Sequence, residues 1–89
     1  MRNKYISDAQ LEKIKKEKKS IVLCHGVFDL FHIGHLTHLH EAKKFGDVLI
    51  VSVTSDKFVN KGPGRPYFNQ EHRLNVLSSI SIIDYVILS

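Results

Sequence analysis

Residues 24–35, Cys-His-Gly-Val-Phe-Asp-Leu-Phe-His-Ile-Gly-His, decide how the chain is read. They continue from Ile21-Val22-Leu23-Cys24, an apolar run without alternation, which predicts a short strand covered on both faces. They lead into Ile33, Leu36, Leu39, Ala42 and Phe45, whose three-residue steps predict one face of a helix stopped by Gly46. The stretch is therefore a turn from strand to helix. His32 and His35 bracket Gly34 where that helix begins.

The flanking sequence repeats the pattern. Val48–Val53 reads as a second buried strand, closed by the small polar residues Thr54, Ser55 and Asp56. Residues 61–66, KGPGRP, hold both prolines and two of the five glycines and predict a loop. Asn69 can cap a third helix over about Gln70 to Ser79, with Leu74, Leu77 and Ile80 facing inward. Tyr85–Leu88 is a third strand. Near the start, Ser7 and Gln10 form a capping-box pattern for a helix over about Asp8 to Lys18, with Leu11 and Ile14 on its apolar face.

A helix followed by strand-helix-strand-helix-strand implies a parallel sheet with right-handed crossovers. The fold expected is a Rossmann-like three-layer α/β/α arrangement, of which βαβαβ is the first half. A basic helix over residues 1–20 precedes a nucleotide-binding region over residues 21–89.

With 89 residues the chain makes one domain at most, and a chain of this size buries a modest core. Its 43% hydrophobic and 25% charged content is that of a globular protein. Cys24 is the only cysteine, which excludes an intrachain disulfide framework and fits a reducing compartment. No apolar run is long enough to span a membrane, and the N-terminus lacks the apolar core of a secretory signal. The expected location is the cytoplasm. The net charge of +4 is concentrated: seven of thirteen basic residues (Arg2, Lys4, Lys13, Lys15, Lys16, Lys18 and Lys19) precede position 20. This run reads as a solvated helix face. Nucleic-acid binding is the alternative, but only Tyr5 interleaves the lysines and no nucleic-acid motif accompanies them.

In a doubly wound fold, ligands bind beyond the carboxyl ends of the strands, beside helix N-termini. A helix start offers unpaired N–H groups and a partial positive charge, which favour an anion. Gly26 lets the chain leave the strand sharply, and Gly34 leaves room for a phosphate against the backbone. His32 and His35 share one helix face, where each can donate an N–H to a phosphate oxygen as charge builds in a transition state. Five histidines within sixteen residues (His25, His32, His35, His38 and His40) raise zinc as an alternative. A tetrahedral site needs four converging ligands, whereas His38 and His40 point to different faces and Cys24 lies in the strand. The sequence gives no direct structural metal site.

Residues 26–35, GVFDLFHIGH, resemble the GxFDxxHxGH signature of the cytidylyltransferase-like nucleotidyltransferases. Thr54-Ser55-Asp56 after the second strand and Glu71-His72-Arg73 opening the third helix agree with it. The resemblance runs from about residue 21 to 88. It is nearest to the glycerol-3-phosphate cytidylyltransferases and to the nucleotidyltransferase domain of ADP-heptose synthases, where a KGxxRP-like loop also occurs. HxGH alone is a weak motif; with GxFD before it and EHR at this distance it is strong.

The resemblance implies transfer of a nucleotidyl group, CMP or AMP, from CTP or ATP to a phosphorylated sugar or polyol. Pyrophosphate is released, and Mg²⁺ accompanies the triphosphate. It assigns His32 and His35 to catalysis and the backbone of Val27 and Phe28 to the nucleotide. Gly26, Asp29, Gly34 and Arg73 complete the nucleotide site, with Asp29 ordering either the turn or the metal environment. Arg73 reaches phosphate or pairs with Asp29 or Glu71. Asp56, Lys61 and Arg65 are candidates for substrate phosphate, although Gly62 and Gly64 stand where some relatives carry lysine. A homodimer is expected. Relatives continue to further α/β elements and a closing RxxxIS(S/T)T-like segment, so a fragment of a longer enzyme is one expectation. A non-catalytic nucleotide-binding module is the other.

Overall fold

The structure, a computed structural model, describes residues 4–59 and 62–89. The elements are α1 (Asp8–Lys15), β1 (Ile21–Gly26), α2 (Ile33–Lys43), β2 (Val48–Val53), α3 (Gln70–Ser78) and β3 (Tyr85–Leu88), with a 3-10 turn at Asp56–Phe58. The strands form one parallel sheet in the order β1-β2-β3.

β2 is central, and all six of its residues are buried. Alternation divides them between two layers. Leu49, Val51 and Val53 pack with Leu39 of α2, with Leu74 and Leu77 of α3, and with Ile83. Val48 and Ile50 pack on the opposite face with Ile6 and Ile14 of the N-terminal segment. The sheet thus lies between α1 on one side and α2 and α3 on the other, as expected from the order of elements. The N-terminal segment also lengthens the sheet: Ile6 N–H donates to Val86 O, and Val86 N–H to Lys4 O.

Three expectations change in detail. β1 is an edge strand, and Leu23 keeps 59% of its surface exposed, so the apolar run is covered on one face there. α1 keeps its capping box but stops at Lys15. Beyond Ile14 the charged run has no apolar side chain to bury, and packing rather than propensity sustains short helices. In α2 only Leu39 is fully enclosed and Ile33 is 74% exposed, while Phe45, past the end of the helix, is 82% exposed. Each three-residue step falls about 60° short of a full turn, so a long stripe at that spacing winds off the core.

Gly46 lies beyond the end of α2, which is capped by Lys44, and the glycines with positive φ are Gly62 and Gly64. Its role is close packing. A Cβ there would lie 2.8 Å from Val22 Cγ2 and 3.1 Å from Ser20 O. Nearby, Asp84 ties α2 to the sheet: Oδ2 accepts from Lys43 Nζ at 2.6 Å and from Leu49 N–H at 2.7 Å.

Candidate functional site

His32 is the N-cap of α2 in extended conformation, and its Nδ1 accepts from Gly34 N–H at 3.0 Å. His35 returns the contact, its Nδ1 accepting from His32 N–H at 3.1 Å. The two imidazoles form a reciprocal capping box, with ring centroids 4.1 Å apart. A neutral ring whose Nδ1 accepts carries its proton on Nε2. Capping therefore fixes the tautomer of both neutral rings, with the proton of each on Nε2. What the structure shows for these rings is helix capping. His35 also stacks on Phe31 at 5.3 Å and meets Phe28 at 5.9 Å.

The glycines serve these rings. A Cβ on Gly34 would lie 2.7 Å from His32 Cε1, so its missing side chain makes room for the capping imidazole. A Cβ on Gly26 would meet the Phe28 ring at 3.1 Å. Gly26 is the last residue of β1, and the left-handed turn falls on Phe28 (φ 54°) and Leu30 (φ 50°) instead. Bulky residues adopt that conformation only where their surroundings impose it.

Asp29, between those two residues, reaches away from the histidines. Its Oδ2 accepts from Tyr67 N–H at 2.6 Å and its Oδ1 from Phe68 N–H at 3.0 Å. Desolvation pushes its carboxyl up, but the Tyr67 and Phe68 N–H groups and the charges of Arg73 and Arg65 outweigh it and hold the carboxyl below the usual range. Of the two roles open to Asp29, the structure shows ordering of the turn.

Arg73 is 1% exposed and is bonded to three loops. Nε donates to Phe68 O (3.0 Å), Nη1 to Val27 O (2.8 Å) and Thr54 O (2.7 Å), and Nη2 to Asp56 Oδ1 (2.6 Å). Its ion-pair partner is Asp56, where the sequence suggested Asp29 or Glu71. With four donated bonds to protein, Arg73 binds the turn after β1, the end of β2 and the segment before α3 into one frame. Asp56 completes this clamp, and its N–H donates to Gln70 Oε1 at 3.0 Å.

Arg65 lies over the Tyr67 ring at 4.1 Å on the exposed loop. Lys61 lies outside the described residues. Among those described, no three His, Cys, Asp or Glu side chains converge to hold a metal ion. Among the described residues, no helix is long and apolar enough to cross a membrane. Burial pushes the Cys24 thiol up, away from the reactive thiolate.

Sequence reasoning gave no part to the contact between His25 and Thr54. They meet across the register that pairs His25 with Ser52, and Thr54 donates its hydroxyl to the Gly26 carbonyl. Parallel alignment of the two strand ends was the available signal. A cavity of about 710 Å³ opens beyond the carboxyl ends of β2 and β3, lined by Ser55, Asp56, Lys57, Asn69, Gln70 and Ser89, among others. Among the described residues, the buried Ser55 hydroxyl there has no hydrogen-bond partner.

A family model described as cytidylyltransferase-like matches residues 23–89. The bifunctional protein HldE of Syntrophotalea carbinolica is 38% identical over 80 residues, 88% of this chain and 16% of that protein. HldE of Campylobacter fetus is 37% identical over 87 residues, 96% of this chain and 19% of its own length. The chain thus spans less than a fifth of these curated relatives. A solved lipopolysaccharide core biosynthesis protein from Thermoplasma volcanium superposes with a TM-score of 0.74 at 37% identity, over 80% of this chain and 58% of that one. With residues 23–89 matched by the family model and the fold shared with a solved protein at 37% identity, the chain belongs to the cytidylyltransferase-like family.

Proposed function

We propose that the chain provides the triphosphate-binding part of a nucleotidyltransferase that transfers CMP or AMP to a small phosphorylated sugar or polyol. The carrying observation is the reciprocal His32–His35 box, which fixes both imidazoles and their tautomers at the start of α2. Attack of the acceptor's phosphate oxygen on the α-phosphorus builds negative charge on the phosphoryl oxygens. The pyrophosphate leaving group takes the bonding pair. Preorganised donors aimed at that charge stabilise it without reorganising during the reaction. The chain's other contribution is positioning: Arg73 and Asp29 fix the turn that carries Val27 and Phe28.

The cavity beside Asp56 falls within the usual size of small-molecule sites and lies beyond the carboxyl ends of β2 and β3. Arg65 remains the described candidate for an acceptor phosphate. Mg²⁺ usually binds through one or two carboxylates together with substrate phosphates. Asp29 and Asp56 are committed to the loops and to Arg73, so these residues offer the ion no cage. A cytoplasmic homodimer completes the proposal.

Pyrophosphate release tests the reading, with CTP or ATP offered beside glycerol phosphate and heptose phosphates. Activity with one pair that falls by about 10²–10³ in His32→Gln and in His35→Gln is the expected result. Full activity in both variants refutes the assignment. Triphosphate binding without turnover on any acceptor favours a binding module.

A further inference from the structure

We infer that Thr54, with His25 behind it, is a positioning residue that aims the Val27 N–H at the bound nucleotide. The inference rests on the nucleotidyltransferase reading and adds residues to it. The Gly26 carbonyl accepts twice from Thr54, from its N–H at 2.9 Å and from its hydroxyl at 3.2 Å. On the next peptide, the Val27 carbonyl accepts from Arg73 Nη1 at 2.8 Å. Both peptide planes flanking Val27 are therefore pinned by their oxygens. In a trans peptide the N–H points opposite its C=O. With Gly26 O turned to β2, Val27 N–H faces away from β2, beyond the free edge of β1.

Hydrogen-bond direction gives His25 its part. Thr54 has one hydroxyl proton, and a carbonyl can only accept, so that proton goes to Gly26 O. His25 Nε2, 3.4 Å from Thr54 Oγ1, must then be the donor in that contact. Its Nδ1, 3.0 Å from the buried Ser52 hydroxyl, accepts in turn. The relay runs from Ser52 through His25 and Thr54 to Gly26 O. Bonds in such a chain polarise one another, and a carbonyl drawn on from one side leaves its own peptide N–H a stronger donor. The contact between His25 and Thr54 is the longest link, so Thr54 carries more of the effect than His25.

Amide NMR of the 89-residue chain, titrated with CTP and with ATP, tests this. In the wild type, the Val27 amide proton moves downfield on saturation with a triphosphate. Thr54→Val reduces that movement and weakens binding about two- to tenfold. Thr54→Ser restores both, and His25→Phe gives a smaller loss than Thr54→Val. A folded Thr54→Val chain that binds with wild-type affinity and an unchanged Val27 shift overturns the inference alone. Should Thr54→Val fail to fold, His25→Phe at its exposed site carries the test, and an unchanged Val27 shift there has the same force. If the wild type binds neither triphosphate, the inference falls together with the reading beneath it.

Discussion

Replacing Arg73 by methionine separates a clamp from a phosphate ligand. Methionine keeps much of the stem's volume and removes every donor. Four bonds disappear, leaving the carbonyls of Phe68, Val27 and Thr54 and the Asp56 carboxylate without their partner. Breaking a buried pair by deleting one member typically costs about 3–5 kcal/mol. The Asp56 side chain is 40% exposed, so water recovers part of its loss and the lower end, about 3 kcal/mol, applies. A chain of this length has roughly 4–13 kcal/mol of net stability. Arg73→Met therefore removes a large share of it. In urea, at about 1–1.5 kcal/mol/M, the unfolding midpoint should fall by about 2–3 M. Circular dichroism reads the transition. A midpoint within about 0.3 M of wild type, combined with lost triphosphate binding, refutes the clamp and returns Arg73 to the ligand.

Gly34→Ala places a methyl against the His32 ring, which must leave its cap; triphosphate affinity should drop about tenfold while the melting temperature moves little, as titration calorimetry and a thermal melt would show. Gly46→Ala meets Val22 and the Ser20 backbone, and overpacking there should cost about 1–3 kcal/mol in urea unfolding without changing affinity in the folded fraction. At Asp84, burial raises the carboxyl, but the Lys43 bond, the Leu49 N–H and the charges of Lys43 and Lys4 outweigh it, so its pKa is lowered on folding, as at Asp29. A depressed carboxyl stabilises above its unfolded value of about 3.9 and loses that contribution as pH falls through its folded value. Wild-type stability should therefore decline below about pH 4, and Asp84→Asn should be less stable at pH 7 with a shallower acid decline, checked by denaturant melts across pH.

The order of elements was legible because β2 is apolar except at Ser52 and because Ser7 and Asn69 announce their helices through side-chain caps that the structure contains. Exposure was less legible. Leu23 and Phe45 look like core residues, yet an edge strand and a winding stripe leave both in water. The paired histidines were legible as the opening of α2, since they bracket a glycine between a strand and an apolar helical stripe. What they do to each other was not, because a capping imidazole depends on one backbone conformation at His32. Arg73 was misread for a related reason. Sequence shows a cation at a helix start, and only tertiary contact shows three carbonyls and a carboxylate already around it.

Ring-nitrogen NMR of His32 and His35, recorded with and without saturating CTP or ATP, tests the central claim most directly. The account predicts that both rings carry their proton on Nε2 in the free chain and that both Nε2 signals shift when a triphosphate binds. Protons found on Nδ1, or ring signals that stay in place at saturation, would contradict it.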